Sequence, residues 1–108
     1  MKPISLVVLF LLLFSYQGSW TENNYFATSV MVLRFDGSVT MYMNIGDPRA
    51  HVWEGYWKED EGNLFLLDSF RKPLTIGFPT ARYEIRMRIF NEMHYFHRTG
   101  DEQGNGNL

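Results

Sequence analysis

The chain has 108 residues, of which 45% are apolar and 17% aromatic, and carries a formal charge of −2. That length suits one cored domain and excludes two, while the apolar share excludes a disordered chain, which could not offset its ordering entropy. The balance is slightly acidic, whereas a nucleic-acid partner calls for a clear basic excess or a basic stripe interleaved with aromatics.

The first element in chain order is a leader. Lys2 supplies a positive start, and residues 4–14 form an apolar run interrupted only by Ser5. About 20 apolar residues are needed to span a bilayer as a helix, so this shorter run reads as the core of a signal-peptide helix. The small residues Ser15, Gly18 and Ser19 offer cleavage positions, of which the one after Ser15 is preferred. The expected organisation is therefore a signal peptide over 1–18, a β domain over 19–99 and a frayed tail over 100–108. The destination is periplasmic or secreted, with membrane attachment only through an uncleaved leader. The chain has no cysteine, which removes both a lipid anchor and a disulfide and leaves stability to packing.

Beyond the leader, apolar residues recur with period two, the pattern of strands that bury one face. Residues 30–35 and 39–43 flank Asp36-Gly37-Ser38, a turn in which Gly supplies a positive φ and Asp bonds its own backbone. A three-residue loop there opposes Phe35 to Val39, Leu33 to Met41 and Met31 to Met43. Residues 50–58 and 63–68 form a second hairpin around Glu59-Asp60-Glu61-Gly62. A short strand over 74–78 lies between Pro73 and Pro79, which suit strand ends or sheet edges.

The clearest strand is 82–89, with Tyr83, Ile85, Met87 and Ile89 on one face and Arg82, Glu84, Arg86 and Arg88 on the other. The last strand, 93–98, admits two registers. A three-residue loop pairs Glu84 with Arg98 across the strands and turns Arg98 outward. A two-residue loop turns Phe96 and Arg98 toward the apolar face beside Met87 and Ile85.

Seven short strands joined in order make an all-β, antiparallel, up-and-down meander. A small closed barrel is preferred to a β-sandwich, because a meander closes without long crossovers and closure removes exposed edges. The inward face collects Met31, Leu33, Phe35, Val39, Met41, Met43, Trp57, Ile85 and Met87. Of these, Met31, Leu33, Met41, Met43, Trp57, Ile85 and Met87 are the candidate lining of a pocket for a small apolar ligand, since thioethers repack around varied shapes. The competing possibility is a solid core built from the same side chains.

Other chemistry finds little footing. His94 and His97, three apart on a strand, point to opposite faces and do not chelate one ion together, and His51 lies elsewhere. There is no cysteine nucleophile and no Gly-x-Ser-x-Gly elbow, and the carboxylates Glu59, Asp60 and Glu61 crowd a turn, so no enzyme and no cofactor is expected. Arg82, Arg86 and Arg88 form a basic row, ordinarily the wet side of a sheet but able to meet an anionic lipid or acidic partner.

The order of short motifs resembles a known family. Gly18-Ser19-Trp20, Phe35-Asp36-Gly37-Ser38-Val39-Thr40-Met41-Tyr42, Gly55-Tyr56-Trp57-Lys58, Gly62-Asn63-Leu64-Phe65-Leu66 and Phe96-His97-Arg98 are similar to the small lipocalin-like domains of exported bacterial proteins. The resemblance spans most of the chain past the leader. It implies a calycin-type barrel in which Trp20 opens the first strand and stacks near Arg98, which closes the last. Trp20 stands close to the leader, so a late cleavage would leave it at a frayed end. The resemblance implies an exported binding protein for a small apolar ligand or an envelope component. The other function in view is a non-catalytic interaction or structural module with a filled barrel.

Overall fold

The two-residue alternation becomes the two faces of one sheet that closes on itself. The computed structural model describes residues 16–24 and 27–100, and within them every regular element is a strand. The leader over 4–14, the cleavage position after Ser15 and the tail over 101–108 lie outside the described residues. The strands are β1 (Gly18–Asn23), β2 (Thr28–Leu33), β3 (Ser38–Ile45), β4 (His51–Asp60), β5 (Asn63–Leu67), β6 (Pro73–Ala81), β7 (Glu84–Ile89) and β8 (Glu92–Gly100). Each pairs antiparallel with the next, and β8 returns to β1, giving a closed eight-stranded meander.

Eight strands stand where the alternation predicts seven. The addition is β1, whose single apolar residue, Trp20, is nearly fully buried. Its sheet position comes from pairing Trp20 with Met31 on one side and with Arg98 on the other. Ahead of β1, Tyr16 also belongs to the core. At the other end β8 runs on to Gly100.

The β2–β3 loop has three residues, but it is Phe35-Asp36-Gly37, closed by the Arg34 N–H bonding the Ser38 carbonyl at 2.9 Å. Asp36 Oδ1 accepts from the Ser38 N–H at 2.9 Å and from its hydroxyl at 2.7 Å, which draws Ser38 into β3. The pairs are therefore Leu33 with Val39 and Met31 with Met41, two residues out of the expected register. A two-residue shift keeps every side chain on its own face. Phe35, expected inside, sits on the loop and is 68% exposed.

Two tight turns follow one rule. Glu61 and Gly62 have φ of 51° and 82°, and Phe90 and Asn91 have φ of 50° and 66°, the pair of positive values that a two-residue hairpin turn of matching twist requires. The second turn selects the register with Ile85 opposite Phe96, Met87 opposite His94 and Arg86 opposite Tyr95. Phe96 and Arg98 thus join the inner face, and Glu84 faces His97 instead of Arg98, with 3.4 Å between Glu84 Oε2 and His97 Nε2. Tyr83, expected on the apolar face, precedes β7 and is 55% exposed.

The middle of the barrel is solid. Met31, Leu33, Leu64, Ile85, Met87 and Phe96 are fully buried, each side chain contributing about 1.5–3 kcal/mol of burial free energy. Gly77, also inside, makes this packing possible: a Cβ there would lie 2.7 Å from Ile85 Cγ2 and 2.9 Å from Met87 Cε.

Candidate functional site

The two ends of the barrel differ, and the difference locates the site. One end is sealed. The Trp20 indole N–H donates to the Tyr16 carbonyl at 2.9 Å, and the Tyr16 hydroxyl donates to the Gly62 carbonyl. The Arg98 guanidinium lies 5.4 Å over the Trp20 ring and donates to the Gln17 carbonyl. Beside them, the Trp57 indole N–H donates to the Arg34 carbonyl at 2.8 Å. Burial presses the Arg98 guanidinium below its ordinary value, with Tyr83 acting in the opposite sense. Burial and then the nearby Glu59 carboxylate push the Tyr16 phenol up.

The opposite end is hollow. A cavity of about 290 Å³ is lined by Met41 and Met43 of β3, Trp53 of β4, Leu66 of β5, Leu74 and Thr75 of β6 and Ile89 of β7, with His51, Val52, Arg88 and Phe90 completing its wall and mouth. Strand lengths create it. The β4–β5 ladder ends at Tyr56 with Leu67, so residues 51–55 of β4 pair only with β3. The β6–β7 ladder begins at Gly77 with Met87, and beyond it the Thr75 hydroxyl reaches the Arg88 carbonyl at 2.7 Å. Where the walls part, the interior opens.

The start of β4 and the β7–β8 turn meet across this mouth. The rings of His51 and Phe90 lie edge to face with centroids 6.1 Å apart. Phe90 holds a left-handed backbone that costs a bulky residue free energy, and it is 82% exposed. His51 Nδ1 lies 3.0 Å from the Arg49 carbonyl; since a carbonyl only accepts, Nδ1 carries the proton in that bond.

The seam between β1 and β8 has its own device near the hollow end. Its ladder ends at Thr21 with His97, and beyond it the Glu22 side chain takes over. One carboxylate oxygen lies 2.5 Å from His94 Nδ1 and the other accepts the Tyr95 N–H at 2.6 Å. Glu22 and His94 are both buried, so each bond is made away from competing water. His94 points inward and His97 outward, the opposite faces that strand geometry dictates.

Of the expected lining, Met41 and Met43 face the cavity. Met31, Leu33, Ile85 and Met87 lie in the solid layer beneath it, and Trp57 belongs to the sealed end. Trp20 and Arg98 do come together there. Trp53, Leu66, Leu74, Thr75, Ile89, His51 and Arg88 are additions. Ile89 continues the alternation of Ile85 and Met87, and Trp53 shares a face with Trp57, so these two were signalled by period; the others depend on where strands end. Among the described residues no group of three His, Asp or Glu side chains is placed to hold a metal ion.

Compared with protein-family models, with curated proteins and with solved structures, the chain matches none of them significantly. The closed antiparallel eight-stranded barrel is consistent with a calycin-like fold.

Proposed function

We propose that this is an exported lipocalin-like binding protein, periplasmic or cell-surface, that holds a small apolar ligand at the hollow end of its barrel without catalysing a reaction. The observation that carries this reading is the contrast between the ends: indole and guanidinium groups close one, and Met41, Met43, Trp53, Leu66 and Ile89 surround a cavity at the other. Such a site is concave and apolar with a few polar groups at its edge, the usual make-up of a small-molecule pocket. Export rests on the leader, Lys2 followed by the apolar run over 4–14. The test is titration of the purified protein with a neutral hydrophobic fluorophore such as Nile red. Saturable binding of one dye per chain at micromolar levels supports the pocket, and no binding removes it.

A second reading is an interaction module that docks to an envelope protein, favoured by Phe70 and Phe90, each 82% exposed on loops at the hollow end. Phe70→Ser and Phe90→Ser together would then abolish partner capture, whereas the ligand reading expects dye binding to survive Phe70→Ser.

A further inference from the structure

We propose that the outer wall of β5–β8 is a docking surface for an anionic lipid bilayer, seated through apolar side chains and held by Lys58, Arg86 and Arg88. Docking here is independent of whether the cavity takes a ligand.

Alternation builds this wall. Ile85 and Met87 fill the core, which turns Arg86 and Arg88 outward on β7. At Arg88 the carbonyl meets Thr75 at the cavity mouth while the side chain takes the outer face. In the same way Leu64 and Leu66 turn Phe65 outward on β5, Gly77 turns out Ile76 and Phe78 on β6, and His94 and Phe96 turn out Tyr95 on β8. The register sets these side chains beside one another. Lys58 is opposite Phe65 and Phe65 opposite Ile76, Phe78 is opposite Arg86 and Arg86 opposite Tyr95, and Arg88 is opposite Met93. Phe78, Met93 and Tyr95 remain 41%, 39% and 45% exposed, so the wall presents a clustered apolar strip rather than scattered side chains.

The charge of this wall is the reverse of the chain's. The protein carries −2 overall, yet no carboxylate stands among these paired positions. Asp60 and Glu84 lie at the margin nearest the sealed end, and Glu84 accepts from the Thr80 hydroxyl and faces His97. Lys58, Arg86 and Arg88 have no ion-pair partner among the described residues. Lys58 Nζ lies 5.7 Å over the Phe65 ring, and the Arg86 guanidinium 5.8 Å over the Phe78 ring. Such pairs suit a bilayer interface, where ring and stem enter the apolar layer and the charge reaches the headgroups. The same stacking covers the ring faces that nucleic-acid bases would need. A negative lipid surface supplies the complement, each nearby Lys or Arg strengthening attachment about fivefold.

The experiment is cosedimentation of the purified protein, at low ionic strength, with vesicles of phosphatidylcholine alone and of equal parts phosphatidylcholine and phosphatidylglycerol. The neutral vesicles report whatever the leader contributes. The mixed vesicles should bind at least about tenfold more tightly and lose that advantage in high salt. Arg86→Gln and Arg88→Gln should each weaken binding to the mixed vesicles about fivefold, and Phe78→Ser should weaken it as well. Arg49→Gln, which removes the same charge from the β3–β4 hairpin across the barrel, should leave it unchanged. If the mixed vesicles bind no better than the neutral ones, if Arg49→Gln weakens binding as much as Arg88→Gln, or if Phe78→Ser costs nothing, the proposal is overturned. A thymidine oligonucleotide or a polyglutamate peptide that binds through Arg86 and Arg88 where vesicles do not would assign the wall to another class of partner, and overturns it too.

Discussion

Arg98 and Trp20 face each other across the seam between the last strand and the first, with the guanidinium 5.4 Å over the indole ring. Both side chains also tie down the segment that precedes β1, through the carbonyls of Gln17 and Tyr16. The sealed end is thus held by a pairing of residues nearly the whole domain apart in sequence, and it is where closure of the barrel is most exposed to substitution.

Trp20→Ala should cost about 3–5 kcal/mol, the range for deleting a buried large aromatic. Arg98→Lys keeps the charge but loses the planar fork and its geometry over the ring, so about 1–3 kcal/mol is expected. Urea unfolding followed by circular dichroism measures both. A neutral Arg98→Lys would show that the stacked geometry contributes nothing.

Tyr16 makes the protein sensitive to alkali. Its phenol is raised above the ordinary value of 10.0 by burial and by Glu59, so the folded state holds the proton more tightly than the unfolded chain. That contribution is complete below about pH 10 and disappears as pH climbs through the raised folded value. Tyr16→Phe lacks the hydroxyl bond to Gly62 and should be less stable at neutral pH. The gap to wild type should narrow above about pH 10; a gap that stays constant into strong alkali would contradict this origin.

Glu22 completes the seam where the ladder stops. Glu22→Ala removes the acceptor of the Tyr95 N–H and the partner of His94, a loss of about 1–3 kcal/mol for a buried group left unpaired. Glu22→Gln retains an acceptor oxygen and should lose less. Amide hydrogen exchange at Tyr95 reports the seam directly: it should quicken markedly in the alanine variant and modestly in the glutamine one, and equal protection in all three would refute the assignment.

Two inner glycines should respond unequally to alanine. At Gly55 an added Cβ would run into the Leu67 carbonyl oxygen and lie 2.7 Å from Trp53 ring carbons, whereas at Gly77 it would meet the ends of the Ile85 and Met87 side chains. Backbone yields less than a side-chain terminus, so Gly55→Ala should exceed the usual overpacking cost of about 1–3 kcal/mol and Gly77→Ala should fall within it. Thermal unfolding of the pair decides the order, and the reverse order would show that the β4–β5 backbone is free to shift.

Most of the fold was legible because β7 and the two central hairpins carry their inner face as plain alternation, Ile85, Met87 and Ile89 being the clearest instance. Strand β1 was signalled only by the resemblance, which opens the first strand at Trp20, and not by alternation, since its inner face holds Trp20 and the polar Glu22, and a buried carboxylate makes sense only once His94 and the Tyr95 N–H are seen beside it. The β2–β3 register escaped because a two-residue slip leaves period two unchanged; the Asp36–Ser38 bonds decide it. The last hairpin stayed open because its two-residue turn sets Phe90, a poor candidate for positive φ, beside Asn91. For the site, alternation separates inside from outside but says nothing of height along the axis. Met41 and Met43 meet the cavity while Met31 and Met87 do not, because β6 and β7 part above Met87 and β5 stops at Leu67.

That division among the methionines offers the most direct measurement. With the methionine methyl groups labelled with carbon-13, titration with decanol should shift the resonances of Met41 and Met43 and leave those of Met31 and Met87 in place. Shifts at Met31 or Met87 of equal size, or no saturable shift at any methionine, would contradict a barrel that is solid at its middle and hollow at one end.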